Sequence, residues 1–352
     1  MFDYFEVKKF VFLVFRTICL VQDTLILKPP KKSPLLLRMA VLMFAMVCSV
    51  SICSICVKQL NTHTKARFLR VQIADYPEKS IRLTKVPREH YPRPKTFSRA
   101  ECFDNPVRFF AIVSMQRSGS GWFESLLNSH VNVSSNGEVF SVLDRRKNIT
   151  SIVQTLDRIY NLDWLSSASK NHCSAAVGFK WMLNQGLMQH HEEIADYFNQ
   201  RGVSTIFIFR RNLLRRIVSV LANSYDRYAK MLNGTHKSHV HSLEEADALS
   251  KYKPVINSTS LVSDLEGMES TISKALEYFG NTRHIIVYYE DLINNRTRLK
   301  DVQEFLNLPQ MELRSRQVKI HTGQLSDYIK NWDDVKVILN GTAYEHLLHA
   351  DY

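Results

Sequence analysis

Residues 109–122 read Phe-Phe-Ala-Ile-Val-Ser-Met-Gln-Arg-Ser-Gly-Ser-Gly-Trp, and they are the most informative part of the sequence. An apolar run ends abruptly in a loop of small residues that carries one cation, Arg117, and a helical pattern follows. A strand, a tight turn and a helix N-terminus in this order predict an anion-binding loop. The turn lacks the Gly-Lys-Ser/Thr ending of nucleotide triphosphatases, so we expect a loop that is not built around magnesium.

The residue types in this loop suit a bound oxyanion. Glycines let backbone N–H groups turn inward, serines add hydroxyl donors, and the helix that follows directs its positive dipole end toward the loop. The arginine supplies a permanent charge on a planar fork. The residues expected to hold the anion are Arg117, Ser118, Gly119, Ser120, Gly121 and Trp122.

The charge balance also favours an anionic partner. The chain has 352 residues and a formal net charge of +12, from 46 Lys and Arg against 34 Asp and Glu. Such a balance is typical of proteins that meet nucleic acids, anionic nucleotides or acidic glycans. No zinc-finger spacing and no interleaved aromatic and basic run is present, so we do not expect nucleic acid as a partner.

A membrane anchor is predicted near the N-terminus. Residues 39–57 are nineteen consecutive residues without a charge, which is about the length that spans a bilayer. Cations are frequent in residues 1–38, which predicts a cytosolic N-terminal arm and a single-pass type II orientation. A cleaved signal peptide is the alternative, but the stretch begins too far into the chain and is too long for one.

The rest of the chain divides into a stem and a main domain. Residues 58–105 are basic and proline-rich without apolar periodicity, which predicts an extended stem, and residues 106–352 form the domain. Cys102 and Cys173 are the two cysteines of this part of the chain, and they are compatible with one disulfide or with two free thiols. Six glycosylation sequons favour a lumenal domain, namely those at Asn132, Asn148, Asn233, Asn257, Asn295 and Asn340.

The main domain alternates short apolar runs with helical patterns. This alternation predicts an α/β fold with a mostly parallel sheet flanked by helices. We expect an irregular or helical insertion at residues 224–260, which are polar. The predicted strands after the first are residues 175–179, 204–209 and 284–289, and the helical patterns include residues 213–221 and 265–279.

A second anion segment begins after the strand pattern of residues 204–209. Arg211 follows this strand, and Ser219 lies eight residues later on the next helical pattern. An arginine pairs readily with a phosphate, and two helical turns keep Ser219 on the same side. Two anion sites at neighbouring strand ends suit a ligand with two separated phosphate-like groups.

These motifs resemble the sulfotransferase family, which uses 3′-phosphoadenosine 5′-phosphosulfate as its donor. Residues 117–122 resemble that family's 5′-phosphosulfate loop, and residues 211–219 resemble its 3′-phosphate segment; residues 288–292 and 302–309 are also similar to it. The Arg-Ser-Gly-Ser start and a downstream Gly-Glu resemble the carbohydrate sulfotransferases, including nodulation-type enzymes. The resemblance implies a P-loop NTPase-like sulfotransferase fold, a carbohydrate hydroxyl as acceptor, no metal, and a place in the Golgi membrane with the domain in the lumen.

The resemblance also implies a catalytic base. Glu138, in the Gly-Glu pair, is the candidate that takes the acceptor's proton, while Arg117 stabilises the leaving group. His190 and His191 are rival bases, because cytosolic members of the family use histidine. Lys180 ends a predicted strand and could position the acceptor, and we expect residues 319–322 to close over the nucleotide.

Two other functions remain open from the sequence. One is a P-loop kinase or triphosphatase, against which the missing Gly-Lys-Ser/Thr ending argues. The other is a catalytically silent nucleotide- or glycan-binding protein on the same fold. The family commonly has lysine where this chain has Arg117 and a hydroxyl residue where it has Gly121, which keeps the silent alternative open.

Overall fold

The structure is a computed structural model, and it describes residues 86–164 and 173–349. The predicted N-terminal arm (1–38) and anchor (39–57) lie outside the described residues, as does the predicted stem up to residue 85. Within the two described ranges, no helix combines the length and the apolar character needed to cross a membrane.

The core of the fold is a sheet of five strands in the order β2-β3-β1-β4-β5. Every pair of neighbouring strands runs parallel, as the alternation of strands and helices predicts. The strands are β1 (Arg108–Ser114), β2 (Val133–Glu138), β3 (Ala176–Met182), β4 (Ser204–Phe209) and β5 (His284–Tyr288).

Nine α-helices belong to the described residues, and at least one lies between any two consecutive strands. The longest ones follow β4 and precede β5. The helices are α1 (Ser120–Leu127), α2 (Ile149–Tyr160), α3 (His191–Arg201), α4 (Leu213–Ala229), α5 (Leu243–Ser250), α6 (Leu261–Tyr278), α7 (Tyr289–Asn294), α8 (Thr297–Phe305) and α9 (Trp332–Leu339).

Strand β1 lies at the centre of the sheet and is buried along its whole length. Its side chains alternate between two apolar clusters. Phe109 belongs to the cluster with α2, α3 and α6 on one face, whereas Phe110 belongs to the cluster with α1, α7 and α8 on the other. A strand covered on both faces needs a continuous apolar sequence, which is why residues 109–113 contain no polar side chain.

The sequence does not predict strand β2, because Val-Ser-Ser-Asn-Gly-Glu has no apolar pattern. The strand lies at the edge of the sheet, where backbone groups need partners other than a neighbouring strand. Asn128 supplies them, because its side chain accepts from Ser135 N at 2.8 Å and donates to Ser135 O at 3.0 Å. The Asn136 side chain donates to the Gly178 carbonyl of β3 at 3.0 Å. Hydrogen bonds therefore hold this strand where apolar packing cannot.

The described end of the predicted stem contacts the domain. Arg88 donates to the Gln200 carbonyl at 2.8 Å, and His90 forms an antiparallel bridge with Val107. The His90 ring also stacks on Phe109 at 3.9 Å. The sequence predicts an extended stem over residues 58–105, but from Arg88 onward this segment packs against the main domain.

A disulfide joins Cys102 to Cys173, which resolves the alternative that the sequence left open. The two residues are 71 positions apart, with Cα atoms separated by 5.2 Å. A cross-link of this length removes many conformations of the unfolded chain, and so it stabilises the folded state.

Replacing both cysteines with alanine should lower the free energy of unfolding by about 2–4 kcal/mol. Urea unfolding of the protein, followed by circular dichroism, measures this loss. Wild type treated with a reductant is the control and should lose a similar amount. A wild type whose unfolding midpoint does not move under reduction would contradict the prediction.

Candidate active site

The carboxyl ends of all five strands lie at one edge of the sheet, because every neighbouring pair is parallel. A cavity of about 500 Å³ opens at this edge. Each strand end brings a lining residue to it, and these are Arg117 after β1, Glu138 of β2, Lys180 of β3, Arg210 after β4 and Tyr289 after β5.

The loop after β1 points its backbone toward the cavity. Arg117 and Gly119 both have left-handed backbone angles, with φ of 64° and 86°. Helix α1 begins at Ser120, so its free N–H groups and positive dipole end lie at the cavity. The Ser118 hydroxyl is 1% exposed and has no hydrogen-bond partner among the described residues. The loop thus brings backbone N–H groups to the cavity and also contains a buried hydroxyl with donor capacity left.

Two rings pack against the two glycines of this loop. A Cβ atom on Gly119 would lie 2.3 Å from the Tyr289 ring, and one on Gly121 would lie 2.3 Å from His239 Nε2. Both distances are far below van der Waals contact, so neither position has room for a side chain. Because the two glycines have no side chains, Tyr289 and His239 can pack directly against the loop.

Arg117 joins the loop to α4 and to the segment after α4. Its Nε donates to Ser219 Oγ at 2.9 Å, and its Nη1 donates to the Ser238 carbonyl at 2.7 Å. Burial and the neighbouring charge of Arg210 lower the pKa of Arg117 to about 10. The guanidinium therefore stays charged at neutral pH and carries its charge into the cavity wall.

The two arginines after β4 point to different places. Arg210 lines the cavity, with its guanidinium 5.0 Å from the centre of the Tyr289 ring. Arg211 is not among the lining residues; it pairs with Asp291 through both guanidinium nitrogens and stacks over Tyr288 at 3.9 Å. Glu290 accepts the backbone N–H of Arg211 at 3.0 Å and fixes the chain at this point. Burial works to lower the pKa of Arg211, but the hydrogen bonds and charge of Asp291 outweigh it and raise that pKa.

Glu138 is oriented by two side chains of the β3 end. It is the last residue of β2, and the strand register places it opposite Lys180, whose Nζ lies 3.7 Å from Glu138 Oε2. Gln185 Nε2 donates to Glu138 Oε1. Gln185 is itself fixed, because its carbonyl accepts from Trp181 Nε1 at 2.9 Å. The carboxylate is held at the cavity with a third of its side chain exposed.

A second carboxylate lies behind Lys180. Glu124 of α1 is 8% exposed and lies 3.6 Å from Lys180 Nζ. It also accepts from Ser135 Oγ at 2.6 Å and from Gly137 N at 2.9 Å. Lys180 therefore bridges a buried carboxylate and the carboxylate that faces the cavity, and Glu124 holds both β2 and Lys180 in place.

The segment expected to cover the nucleotide, residues 319–322, reaches the cavity with Lys319, Ile320 and His321. His321 Nε2 is buried and has no hydrogen-bond partner among the described residues. Burial, with the charges of Arg117 and Arg210, lowers the pKa of His321 to about 4. This imidazole is neutral at physiological pH and has an unused nitrogen in the cavity wall.

Positive charge dominates the cavity. Glu138 is the one carboxylate among the described residues that line it. The lining cations are Arg117, Lys180, Arg210, Arg227 and Lys319. A concave site of this composition attracts a ligand with several negative charges.

A known protein family covers most of the main domain. The model of the sulfotransferase domain matches residues 109–333, which is more than half of the chain. The chain belongs to the sulfotransferase family. It is an enzyme that transfers sulfuryl groups. Its α/β fold with a parallel sheet is the one that the sequence predicted.

The curated relatives and solved structures that resemble this chain have low sequence identity to it. Nodulation protein H of Rhizobium meliloti is 23% identical over 242 residues, which cover 66% of this chain and 91% of the relative. The same protein from strain 1021 is 24% identical over 243 residues, with the same coverage of 66% and 91%. A sulfotransferase from Alicyclobacillus acidocaldarius is 11% identical, with 69% of this chain and 96% of that one covered and a TM-score of 0.34. Mouse sulfotransferase SULT7A1 complexed with PAP is 14% identical, with 68% and 88% covered and a TM-score of 0.37.

Most of the site residues predicted from the sequence line the cavity of this sulfotransferase. Ser118 lies beside the cavity in the loop interior, and Arg211 points away to Asp291. The rival bases are elsewhere, since His190 directly precedes α3 and His191 stacks on Tyr278 at 3.6 Å. The predicted residues that line the cavity are Arg117, Gly119, Ser120, Gly121, Trp122, Glu138 and Ser219.

Three residues of the site are not evident from the sequence. Arg210 directly follows the last residue of β4, and this adjacency to a strand end was the available signal. Glu124 gave no signal, because its role depends on β2, which has no strand pattern. His239 comes from the polar insertion 224–260, and no local pattern relates it to Gly121.

Glu124→Ala should destabilise the sulfotransferase by roughly 3 kcal/mol, because it leaves the buried ammonium of Lys180 without this partner. Chemical unfolding measures the loss. Glu124→Gln is the matched variant and should lose less, since an amide oxygen still accepts from Ser135 and Gly137. The double variant Glu124→Ala with Lys180→Met should be more stable than Glu124→Ala alone. Simple addition of the two single effects would contradict the bridging role of Lys180.

Proposed function

We propose that this sulfotransferase moves a sulfuryl group from 3′-phosphoadenosine 5′-phosphosulfate to a hydroxyl of a carbohydrate. The observation that carries the proposal is the shared cavity into which the anion loop, the end of β4 and Glu138 all open. A donor with two separated phosphate groups needs two cationic regions, and a hydroxyl acceptor needs a base nearby. The cavity wall contains cations that can bind the donor and a carboxylate, Glu138, that can act as the base.

The residues present fit such a donor. His321 lines the cavity, and its Nε2 atom lacks a partner among the described residues, as an atom that meets a bound ligand would. The first turn of α1 adds backbone N–H groups, and Arg117 adds charge. Arg210 and Ser219 would serve the second phosphate, with Arg210 in the role that the sequence gave to Arg211. The donor would supply the activated sulfuryl group.

Glu138 is proposed as the base for the acceptor. Its carboxylate would take the proton from the hydroxyl as the new oxygen–sulfur bond forms and the bond from sulfur to the phosphate oxygen breaks. Gln185 and Lys180 hold the carboxylate in one orientation, which keeps it ready for this proton. Arg117 and the helix N-terminus would stabilise the charge that grows on the leaving phosphate. The expectation that no metal takes part stays a prediction.

A carbohydrate acceptor and a Golgi location belong to the same proposal. The acceptor class rests on the resemblance of residues 117–120 and 137–138 to carbohydrate sulfotransferases. A lumenal domain is supported by the disulfide, which is typical of oxidising compartments. It is also supported by exposed sequon asparagines, since attachment of a glycan needs an exposed site. The exposed ones are Asn148, Asn233, Asn257, Asn295 and Asn340.

Adenosine 3′,5′-bisphosphate should raise the melting temperature of the protein in proportion to the logarithm of its concentration, because it binds the folded state. Arg210→Ala should weaken this binding about ten- to hundredfold through the loss of a charged hydrogen bond. Differential scanning fluorimetry and calorimetry measure both effects.

Arg211→Ala is the matched variant for the donor site. It should lower stability, because Asp291 loses its partner, and should leave the affinity for the bisphosphate within about threefold. A loss of affinity in Arg211→Ala but not in Arg210→Ala would assign the site to Arg211. Stabilisation by magnesium-ATP alone would overturn the proposed donor and favour a kinase.

Glu138→Gln should lower kcat about 10²–10⁴-fold and leave bisphosphate affinity unchanged, because only proton removal is lost. Transfer of labelled sulfate to glycosaminoglycan and N-glycan acceptors measures this effect. The paired variants His190→Asn and His191→Asn should retain wild-type rates, since neither side chain lines the cavity. A loss of activity in either histidine variant with normal turnover by Glu138→Gln would transfer the role of base to histidine. Donor binding without turnover on every acceptor would favour the silent alternative.

A further inference from the structure

The segment after α4 places one histidine directly on the anion loop. His239 lines the cavity, and its Nε2 lies where a side chain of Gly121 would begin, 2.3 Å from the ideal Cβ position. Gly121 belongs to the first turn of α1, beside the N–H groups of the loop. The ring therefore occupies the space of a missing loop side chain and presents a polar nitrogen there.

Three contacts fix the segment that carries His239. Before it, His236 Nδ1 lies 2.6 Å from Asp226 Oδ2, a carboxylate whose residue is 3% exposed. Next to it, the Ser238 carbonyl accepts from Arg117 Nη1 at 2.7 Å. After it, the Val240 carbonyl accepts from Val318 N at 2.9 Å. Contacts on both sides of His239 hold the ring over the loop, which is what a preorganised binding group requires.

The charge state of His239 suits a hydrogen-bonding role. The residue is exposed to solvent like His241, but partial desolvation of its ring and the charges of Arg117 and Lys180 lower its pKa to about 4, so the imidazole is neutral at pH 7. A neutral imidazole has one N–H donor and one acceptor nitrogen. With a pKa below its ordinary value, the ring is a poor general base at that pH.

We propose that His239 contacts the sulfonate of the donor and gives it the hydrogen bond that a side chain at position 121 would otherwise provide. The proposal rests on the proposed function, because it uses 3′-phosphoadenosine 5′-phosphosulfate as the ligand. His239 lines the same cavity as the loop, Lys180 and Glu138. The sulfuryl group has to pass between the loop and the base, so the ring lies beside its path.

The sulfonate gives a direct test, because the donor has this group and adenosine 3′,5′-bisphosphate does not. Calorimetry on the full chain should show that His239→Ala weakens donor binding about ten- to hundredfold and leaves bisphosphate binding within about twofold. The control is His241→Ala, which removes an exposed histidine of the same segment that does not line the cavity. It should change neither affinity.

One substitution at position 121, made in the wild type and in His239→Ala, separates a ligand contact from a structural role. Gly121→Ser in the wild type should weaken donor binding, because its Cβ would displace His239. Gly121→Ser combined with His239→Ala should bind the donor more tightly than His239→Ala alone, since the serine hydroxyl enters the vacated space.

The outcomes that overturn the proposal are distinct from those that overturn the proposed function. Equal losses of donor and bisphosphate affinity in His239→Ala would mean that the ring only shapes the cavity. No loss of donor affinity would remove the contact altogether. A wild type that binds neither nucleotide would instead reject the proposed donor, and with it the ligand on which this inference depends.

Discussion

The parallel direction of every strand pair is the constraint on which the site depends. Because all five strands end at one edge, short loops bring residues that are far apart in the chain into one cavity. The central strand β1 makes this possible, since its apolar sequence is buried on both faces and fixes the sheet between two helical layers. The loop after β1 is therefore held between a fully buried strand and helix α1.

Hydrogen bonds and ion pairs connect the parts of the cavity. Arg117 links the anion loop to α4 and to the segment that carries His239. Lys180 links β3 to carboxylates of α1 and β2. These two cations have different tasks, since Arg117 lies in the anion loop whereas Lys180 orients the proposed base. The site is preorganised because each of these groups at the cavity is held by a second group behind it.

The sequence predicted the α/β class, the anion loop, Ser219 and Glu138 as members of one site, and the structure places these residues together. It missed β2, since residues 134–136 are polar and their burial is supported by hydrogen bonds to side chains such as Asn128. The assignment of the phosphate-binding charge after β4 to Arg211 stays a prediction, and in the structure that side chain pairs with Asp291. Sequence spacing cannot distinguish adjacent arginines when a partner 80 residues away sets their directions.

The fold class could be predicted from the amino-acid sequence, because apolar periodicity and glycine placement are local properties of the chain. The prediction of an anion-binding loop is also local, since the serines, glycines and Arg117 are consecutive. Three features became visible only in the folded chain, namely which arginine lines the cavity, the pairing of Cys102 with Cys173, and the position of His239 over Gly121. These features depend on contacts between segments distant in sequence, whose directions follow from packing and from buried polar partners.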